Sequence, residues 1–378
     1  MEWSPHFYRK EGIKAGMEPE FIDRLVTYAD SLYKKNLPVL FTLKHLSEIC
    51  NTNYTFLEQV IERKVNPYRR FQIKKRNGKN YRQICAPTPS IDVVQYWIKE
   101  EICSKLTADS ASTAYAKNCS PKRNASIHCG AKWLVKVDII GFFESISERQ
   151  VYKIFSQAGY NPLLAFQLTR LVTTTNEKSK IYEFQRWSSN SGKYKIFRYE
   201  GKKVGHLPQG ARTSPMLANL VCKDMDERIR KLAKSNGCEY TRYSDDIVFS
   251  TLDFNRDKAV ALIKQCSKIL SEYGFRRNLQ KTQIVPPGAR KIVTGLIVNG
   301  SKPSLSRKIK SQIENHLYFT SNKKFGLVEH CKHKGFRSIP GFYNHLKGLI
   351  TYAKHINPEL GLRYERKFNN ISWPSFVG

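Results

Sequence analysis

The chain has 378 residues, 40% hydrophobic and 12% aromatic, enough to bury a substantial core and to form two or three compact subdomains. No run of about 18 apolar residues occurs, and the opening lacks the basic-then-apolar pattern of a secretion signal, which argues against a membrane protein and for the cytosol. Sixty-four Lys and Arg against 32 Asp and Glu leave a formal charge of +32, interleaved along the chain with 20 Tyr and 20 Phe. Such a surplus calls for a polyanionic partner, and its spread suits a long groove that follows a nucleic-acid backbone.

Residues 1 to about 48 read as helical, with Phe21, Ile22, Leu25, Val26 and Tyr28 on one side before a break at Lys34–Pro38. From Tyr68 to Pro87 short strands flank Arg76-Asn77-Gly78, where Asn-Gly suits a tight hairpin. Its basic residues, Arg69, Arg70, Lys74, Lys75, Lys79 and Arg82, would line a cationic flap. The apolar strand Leu134–Ile139 carries Asp138 at its end, and Ser147 with Gln150 forms a capping box for the helix that follows.

A further helix starts at Ser214-Pro215, with Ser as N-cap and Pro first in the helix; Leu217, Leu220, Val221, Met225, Ile229 and Leu232 form its apolar face, and Gly237 ends it. Strands over 239–243 and 247–250 then meet at Ser244-Asp245-Asp246, on a hairpin tip. A helix over 259–273 stops at Gly274, and Val293–Val298 reads as another strand. This order fits an antiparallel sheet with helices on one face. From 301 onward the pattern is helical, with 14 Lys and Arg against four acids.

The nine cysteines form no Cys-x-x-Cys pair, and their odd number argues for reduced thiols. The run His330-Cys331-Lys332-His333 lacks a second ligand pair and reads as a solvated basic loop in preference to a zinc site.

Two adjacent acids between apolar strands call for a cation, and Asp138 at the end of another strand completes a set of hard oxygen ligands suited to Mg²⁺. Two such ions about 4 Å apart would serve nucleotidyl transfer. Taken alone, Asp-Asp in a turn is ordinary surface chemistry. Between the carboxylates lies Leu207–Pro215, a turn-rich loop feeding a helix N-terminus, where backbone amides and Gln209 can meet a nucleotide.

In this order the motifs resemble those of reverse transcriptases, from Tyr68 to about Phe368. Tyr243-Ser244-Asp245-Asp246 is similar to that family's Tyr-x-Asp-Asp box, Val137–Phe143 to its first metal-binding motif, and Leu207–Pro215 to its Leu-Pro-Gln-Gly…Ser-Pro motif. Asn124-Ala125-Ser126-Ile127-His128 and Val293-Thr294-Gly295 resemble elements of the bacterial retron enzymes, although Asn124 or His128 can equally satisfy local backbone.

The resemblance implies an α+β, right-hand polymerase fold: an N-terminal helical extension over 1–48, fingers over 49–131, a palm with inserted fingers segments over 132–300, and a basic helical thumb over 301–378. It implies that Asp138, Asp245, Asp246 and the neighbouring Ile139 form the site of two Mg²⁺ ions. Phe143 would be the steric gate against a ribose 2′-hydroxyl, and Gln209, Lys75 and Arg82 would hold the incoming dNTP. Lys281 would approach the leaving pyrophosphate; a solvated lysine is its bland alternative.

RNA contacts are expected at Asn124, His128, Arg307, Lys308, Lys310, Arg363, Arg366 and Lys367. The implied partners are a structured noncoding RNA, its branched msDNA product primed from a guanosine 2′-hydroxyl, and an effector protein in antiphage defence. Ser244 departs from the Ala or other small residue common at that place. The rival readings are another bacterial reverse transcriptase, of the group II intron or diversity-generating kind, and a catalytically silent RNA-binding scaffold.

Overall fold

The computed structural model describes residues 3–74, 81–175, 204–322 and 325–375. Lys75, Lys79 and the Arg76–Gly78 turn lie outside them. Ser4 caps α1 (Pro5–Lys14), and Pro19 opens α2 (Pro19–Tyr33). Ile22, Val26, Ala29 and Leu32 make the buried stripe of α2, whereas Phe21, expected on that stripe, is 43% exposed. Thr42 caps α3 (Leu43–Ile49) and Asn53 caps α4 (Tyr54–Ile61). Helix α3 runs across position 48, and Leu32, Leu40 and Leu43 enter the same core as the central sheet.

Strands β1 (Tyr68–Lys74) and β2 (Tyr81–Pro87) pair antiparallel from Tyr68↔Pro87 to Lys74↔Tyr81, the hairpin expected from the Asn-Gly signal. Then come α5 (Pro89–Trp97), extended by a π turn over Ile98–Ile102, and α6 (Pro121–Ile127), capped by Ser120. Strand β3 (Trp133–Asp138) leads to α7 (Glu148–Ala158), where both halves of the Ser147–Gln150 capping box form. Helix α8 (Pro162–Val172) is buried over most of its length.

One long helix was expected from Ser214; two form, α9 (Ser214–Val221) and α10 (Lys223–Ser235), breaking at Cys222. The cap differs too. Thr213 is the N-cap residue, while the Ser214 hydroxyl donates to the Pro208 carbonyl (2.7 Å) and so ties the preceding loop to the helix.

The chain continues through β4 (Glu239–Tyr243), β5 (Asp246–Thr251), α11 (Arg256–Glu272) and β6 (Gln283–Val285). The central sheet has the order β4-β5-β3-β6, every pair antiparallel. Its residues alternate between two cores: Val135, Val137, Ile247 and Phe249 join one, Leu134 and Val248 the other. Both faces are therefore covered, not one as expected.

The apolar run at Val293 is a hairpin instead of a strand. Thr294 and Gly295 have φ of 47° and 83°, so β7 (Ile292–Val293) turns straight back into β8 (Leu296–Ile297), which pairs with β9 (Ser304–Leu305). Four helices complete the second core: α12 (Arg307–Ser321), α13 (Gly326–His333), α14 (Ile339–Ile356) and α15 (Pro358–Asn369). His330 and Cys331 sit on α13 and are buried, not solvated; His330 Nε2 lies 2.8 Å from His316 Nδ1. All nine cysteines are free.

Candidate active site

Register sets the carboxylates. Asp138, last in β3, pairs with Asp246, which in turn pairs with Tyr243, so only Ser244 and Asp245 form the turn. Asp246 thus belongs to β5 and not to the hairpin tip. Ser244 takes the left-handed φ of 61° that so tight a turn demands, and the Ile139 amide donates to the Asp245 carbonyl (3.0 Å). Three acids from two strands and one turn meet at one end of the sheet.

Their electrostatics follow from burial. Desolvation pushes the pKa of Asp245 above the ordinary carboxylate value, and the charge of Asp138 adds to it. Desolvation raises Asp246 as well, against the opposing pull of Lys136, whose Nζ is 3.4 Å from Oδ2. Lys281 Nζ stands 2.8 Å and 3.1 Å from the two Asp138 oxygens, and Asn278 Nδ2 donates to Oδ1 (3.1 Å).

Among the described residues no three acidic, His or Cys side chains stand close enough together to hold a metal ion as they are placed. Lysines neutralise Asp138 and Asp246 instead. The donor set nevertheless fits divalent ions: it is all hard oxygen, it is partly desolvated, and its members repel one another. The Lys281 side chain is 60% exposed and free to swing away. The Ile139 side chain is buried in the core, which leaves only its main-chain carbonyl for an ion.

Phe142 stacks on Phe275 inside the core (ring centres 5.6 Å apart), while Phe143 is only half-buried, five residues beyond Asp138. The Gln209 carbonyl accepts from the Cys85 amide (2.8 Å). Gly210, at φ 117°, lies so close to β2 that a Cβ would stand 2.9 Å from Ile84 Cγ2. The Gln-Gly loop therefore rests on the strand that carries the exposed Arg82. Lys75 lies outside the described residues.

Asn124 and His128 are both fully buried, which overturns their assignment as RNA contacts. Thr113 Oγ1 donates to Asn124 Oδ1 (2.9 Å), and the His128 ring bridges Thr241 Oγ1 and Ser250 Oγ (2.7 Å each). Burial holds the imidazole neutral, its pKa lowered to about 3. The second retron-like element reaches the helix that carries the first: Thr294 Oγ1 donates to the Pro121 carbonyl at the start of α6 (2.8 Å). They pin α6 to the sheet. Of the RNA contacts expected beyond 301, Arg307, Lys308, Arg363, Arg366 and Lys367 are exposed. Half-buried Lys310 joins Arg363 and Arg366 around a surface depression of about 470 Å³.

Sequence reasoning missed a buried group under the turn. Arg242 and Asp226 are both 0% exposed and share a two-pronged ion pair, Nε–Oδ1 2.8 Å and Nη2–Oδ2 2.6 Å. Burial opposes the guanidinium charge, but Asp226 outweighs it and holds the pKa above its ordinary value. The signal was the alternation of β4, which aims Arg242 to the same side as the core residue Tyr240.

A family model for reverse transcriptase (RNA-dependent DNA polymerase) matches residues 73–296, the span that holds all three aspartates and the Gln-Gly loop. Retron Ec73 reverse transcriptase of Escherichia coli is 31% identical over 325 residues, 83% of this chain and 91% of that one. The chain belongs to the retron reverse transcriptases. As such it is an RNA-directed DNA polymerase with the polymerase fold, in a family that copies an RNA template and uses divalent metal ions. This retron reverse transcriptase is also 28% identical to Retron Ec86 reverse transcriptase of Escherichia coli over 297 residues, 78% of this chain and 83% of that one. Retron Mx162 reverse transcriptase of Myxococcus xanthus is 31% identical over 242 residues, 62% of this chain and 47% of that one. No helix among the described residues is long and apolar enough to cross a membrane.

Proposed function

We propose that this retron reverse transcriptase copies a structured noncoding RNA into branched msDNA, starting from the 2′-hydroxyl of an internal guanosine. Asp138, Asp245 and Asp246, with the Ile139 carbonyl, would hold two Mg²⁺ ions. When bound, these would activate the attacking hydroxyl and take up charge on the departing pyrophosphate. The observation that carries the reading is the register Asp138↔Asp246 with the two-residue turn beside it, which gathers three partly desolvated carboxylates at one sheet end.

The chain's other residues would divide the work. Lys281 would leave Asp138 to face the pyrophosphate, where a cation stabilises charge or donates a proton. Phe143 would crowd a ribose 2′-hydroxyl, Gln209 would lie along the incoming sugar and base, and Arg82, with Lys75, would meet the triphosphate. In this reading the β1–β2 hairpin belongs to the fingers, the central sheet to the palm, and α12–α15 to the thumb. Arg307, Lys308, Lys310, Arg363, Arg366 and Lys367 would there hold RNA stems through phosphates and 2′-hydroxyls. The names of the retron relatives support an RNA-directed DNA polymerase of the retron kind, and a defence role beside an effector protein would be its biological setting.

The test expresses the gene with its flanking DNA and looks for branched, RNase-sensitive single-stranded DNA. Wild type should yield it and the Asp245→Ala/Asp246→Ala variant should not. Equal yield from both would refute the mechanism.

A further inference from the structure

The Ser244–Asp245 turn is held from two sides. From below, Arg242 Nη1 donates to the Ser244 carbonyl (3.1 Å), while its other nitrogens are fixed by Asp226. From the flank, the Tyr115 hydroxyl donates to Ser244 Oγ (2.9 Å), and the Tyr115 and Tyr243 rings lie 6.3 Å apart. Both tethers trace to one buried frame. Asn219 on α9 donates to the Ala114 carbonyl (2.7 Å) and accepts from Arg242 Nη1 (3.2 Å), and Tyr240 donates to Asp226 (2.7 Å).

Three features tie the turn to this frame. The two-residue turn itself calls for the left-handed φ of Ser244 (61°), but Tyr115 beside it adopts one too (67°), which is unfavourable for residues other than glycine and is kept where surroundings impose it. Asp226 takes only two of the five N–H donors of the buried Arg242, and Nη1 finds its partners in Asn219 and the turn's carbonyl, so the guanidinium and the turn are fixed together. Tyr115 is 45% exposed, so its hydroxyl is not forced onto Ser244 by burial.

We propose that Tyr115 and Arg242 are positioning residues that clamp Ser244 and thereby hold the Asp245 carboxylate in place to bind metal. This rests on the reading of Asp245 and Asp246 as metal ligands. Neither residue touches the reacting atoms. Each acts through the turn, and loosening the turn weakens metal binding before it weakens the fold.

The experiment measures initial rates of dNTP incorporation on an RNA template against Mg²⁺ concentration, with thermal melts alongside, for wild type, Tyr115→Phe, Ser244→Ala and their double variant. The Tyr115 and Ser244 substitutions delete one hydroxyl each. Each single change should raise the Mg²⁺ concentration at half-maximal rate about fivefold, the worth of one hydrogen bond. The double variant should be no worse than either single, with all melting temperatures within roughly 2 °C of wild type. Arg242→Lys, which keeps a cation opposite Asp226 but cannot also reach Ser244, should shift the half-saturation the same way. If Arg242→Lys fails to fold, the hydroxyl pair still decides.

An unchanged Mg²⁺ requirement in Tyr115→Phe, or effects that multiply in the double variant, would overturn the clamp. An Asp245→Asn variant run beside them separates the two ideas. Full activity there defeats the metal-ligand reading itself, whereas an inactive Asp245→Asn with an unaffected Tyr115→Phe defeats only the clamp.

Discussion

Replacing His128 by Leu separates a structural from an RNA-contacting role. The imidazole is 0% exposed and bridges Thr241 and Ser250, which are themselves buried. Leucine leaves both hydroxyls without that partner, at a cost of roughly 3 kcal/mol at pH 7.5. The pH dependence sharpens the test. Burial lowers the folded-state pKa from 6.5 to about 3. Above pH 6.5 the ring is neutral in both states and ionisation contributes nothing. As pH falls below that value the unfolded chain takes up a proton that the folded protein refuses, so wild type loses about 1.4 kcal/mol by pH 5.5. The variant has no such loss. Thermal melts should therefore show the wild-type advantage shrinking by about half between pH 7.5 and pH 5.5. RNA affinity, measured by filter binding where both proteins are folded, should stay within about twofold. A tenfold loss of RNA binding at an unchanged melting temperature would refute the reasoning.

Gly361→Ala should lower the melting temperature of the C-terminal helices, because a Cβ there would stand 2.1 Å from Lys354 Cα and push α15 off α14. A cost of at least about 2 kcal/mol is expected, and a neutral result would contradict that packing. Phe143→Ala should raise ribonucleotide incorporation relative to deoxynucleotide by roughly thirtyfold in a primer-extension assay; no gain would remove Phe143 from the gate. Because burial and Asp138 raise the Asp245 pKa, and burial raises that of Asp246, the acid limb of the pH–rate profile should lie above the ordinary carboxylate range. It should move to lower pH as Mg²⁺ is increased, since ion and proton compete for the same oxygens; an immovable limb would count against these carboxylates as ligands.

The local signals were readable from residue order. Asn-Gly marked the β1–β2 hairpin, Ser147 with Gln150 marked the start of α7, and the three aspartates stood out against apolar strands. What escaped depended on partners distant in sequence. Asn124 and His128 were expected to contact RNA or local backbone because Thr113, which bonds Asn124, and Thr241 and Ser250, which bond His128, arrive from other strands and loops. Val293–Val298 looked like one strand because a β-branched Thr294 in left-handed backbone is not what propensity suggests. Asp246 was placed on the hairpin tip because cross-strand register, and not composition, decides where a two-residue turn ends. Helices were expected on one sheet face because the second core draws on residues from 293 onward, far from the strands they cover.

The central claim is that Asp138, Asp245 and Asp246 hold the catalytic metal ions of this RNA-directed DNA polymerase. Single-turnover addition of one dNTP to a primed RNA template, with Mg²⁺ saturating, tests it directly in Asp138→Asn, Asp245→Asn and Asp246→Asn proteins that melt like wild type. The account expects each substitution to slow incorporation by about a thousandfold or more. A folded variant that keeps a rate within about tenfold of wild type would contradict the assignment of its aspartate.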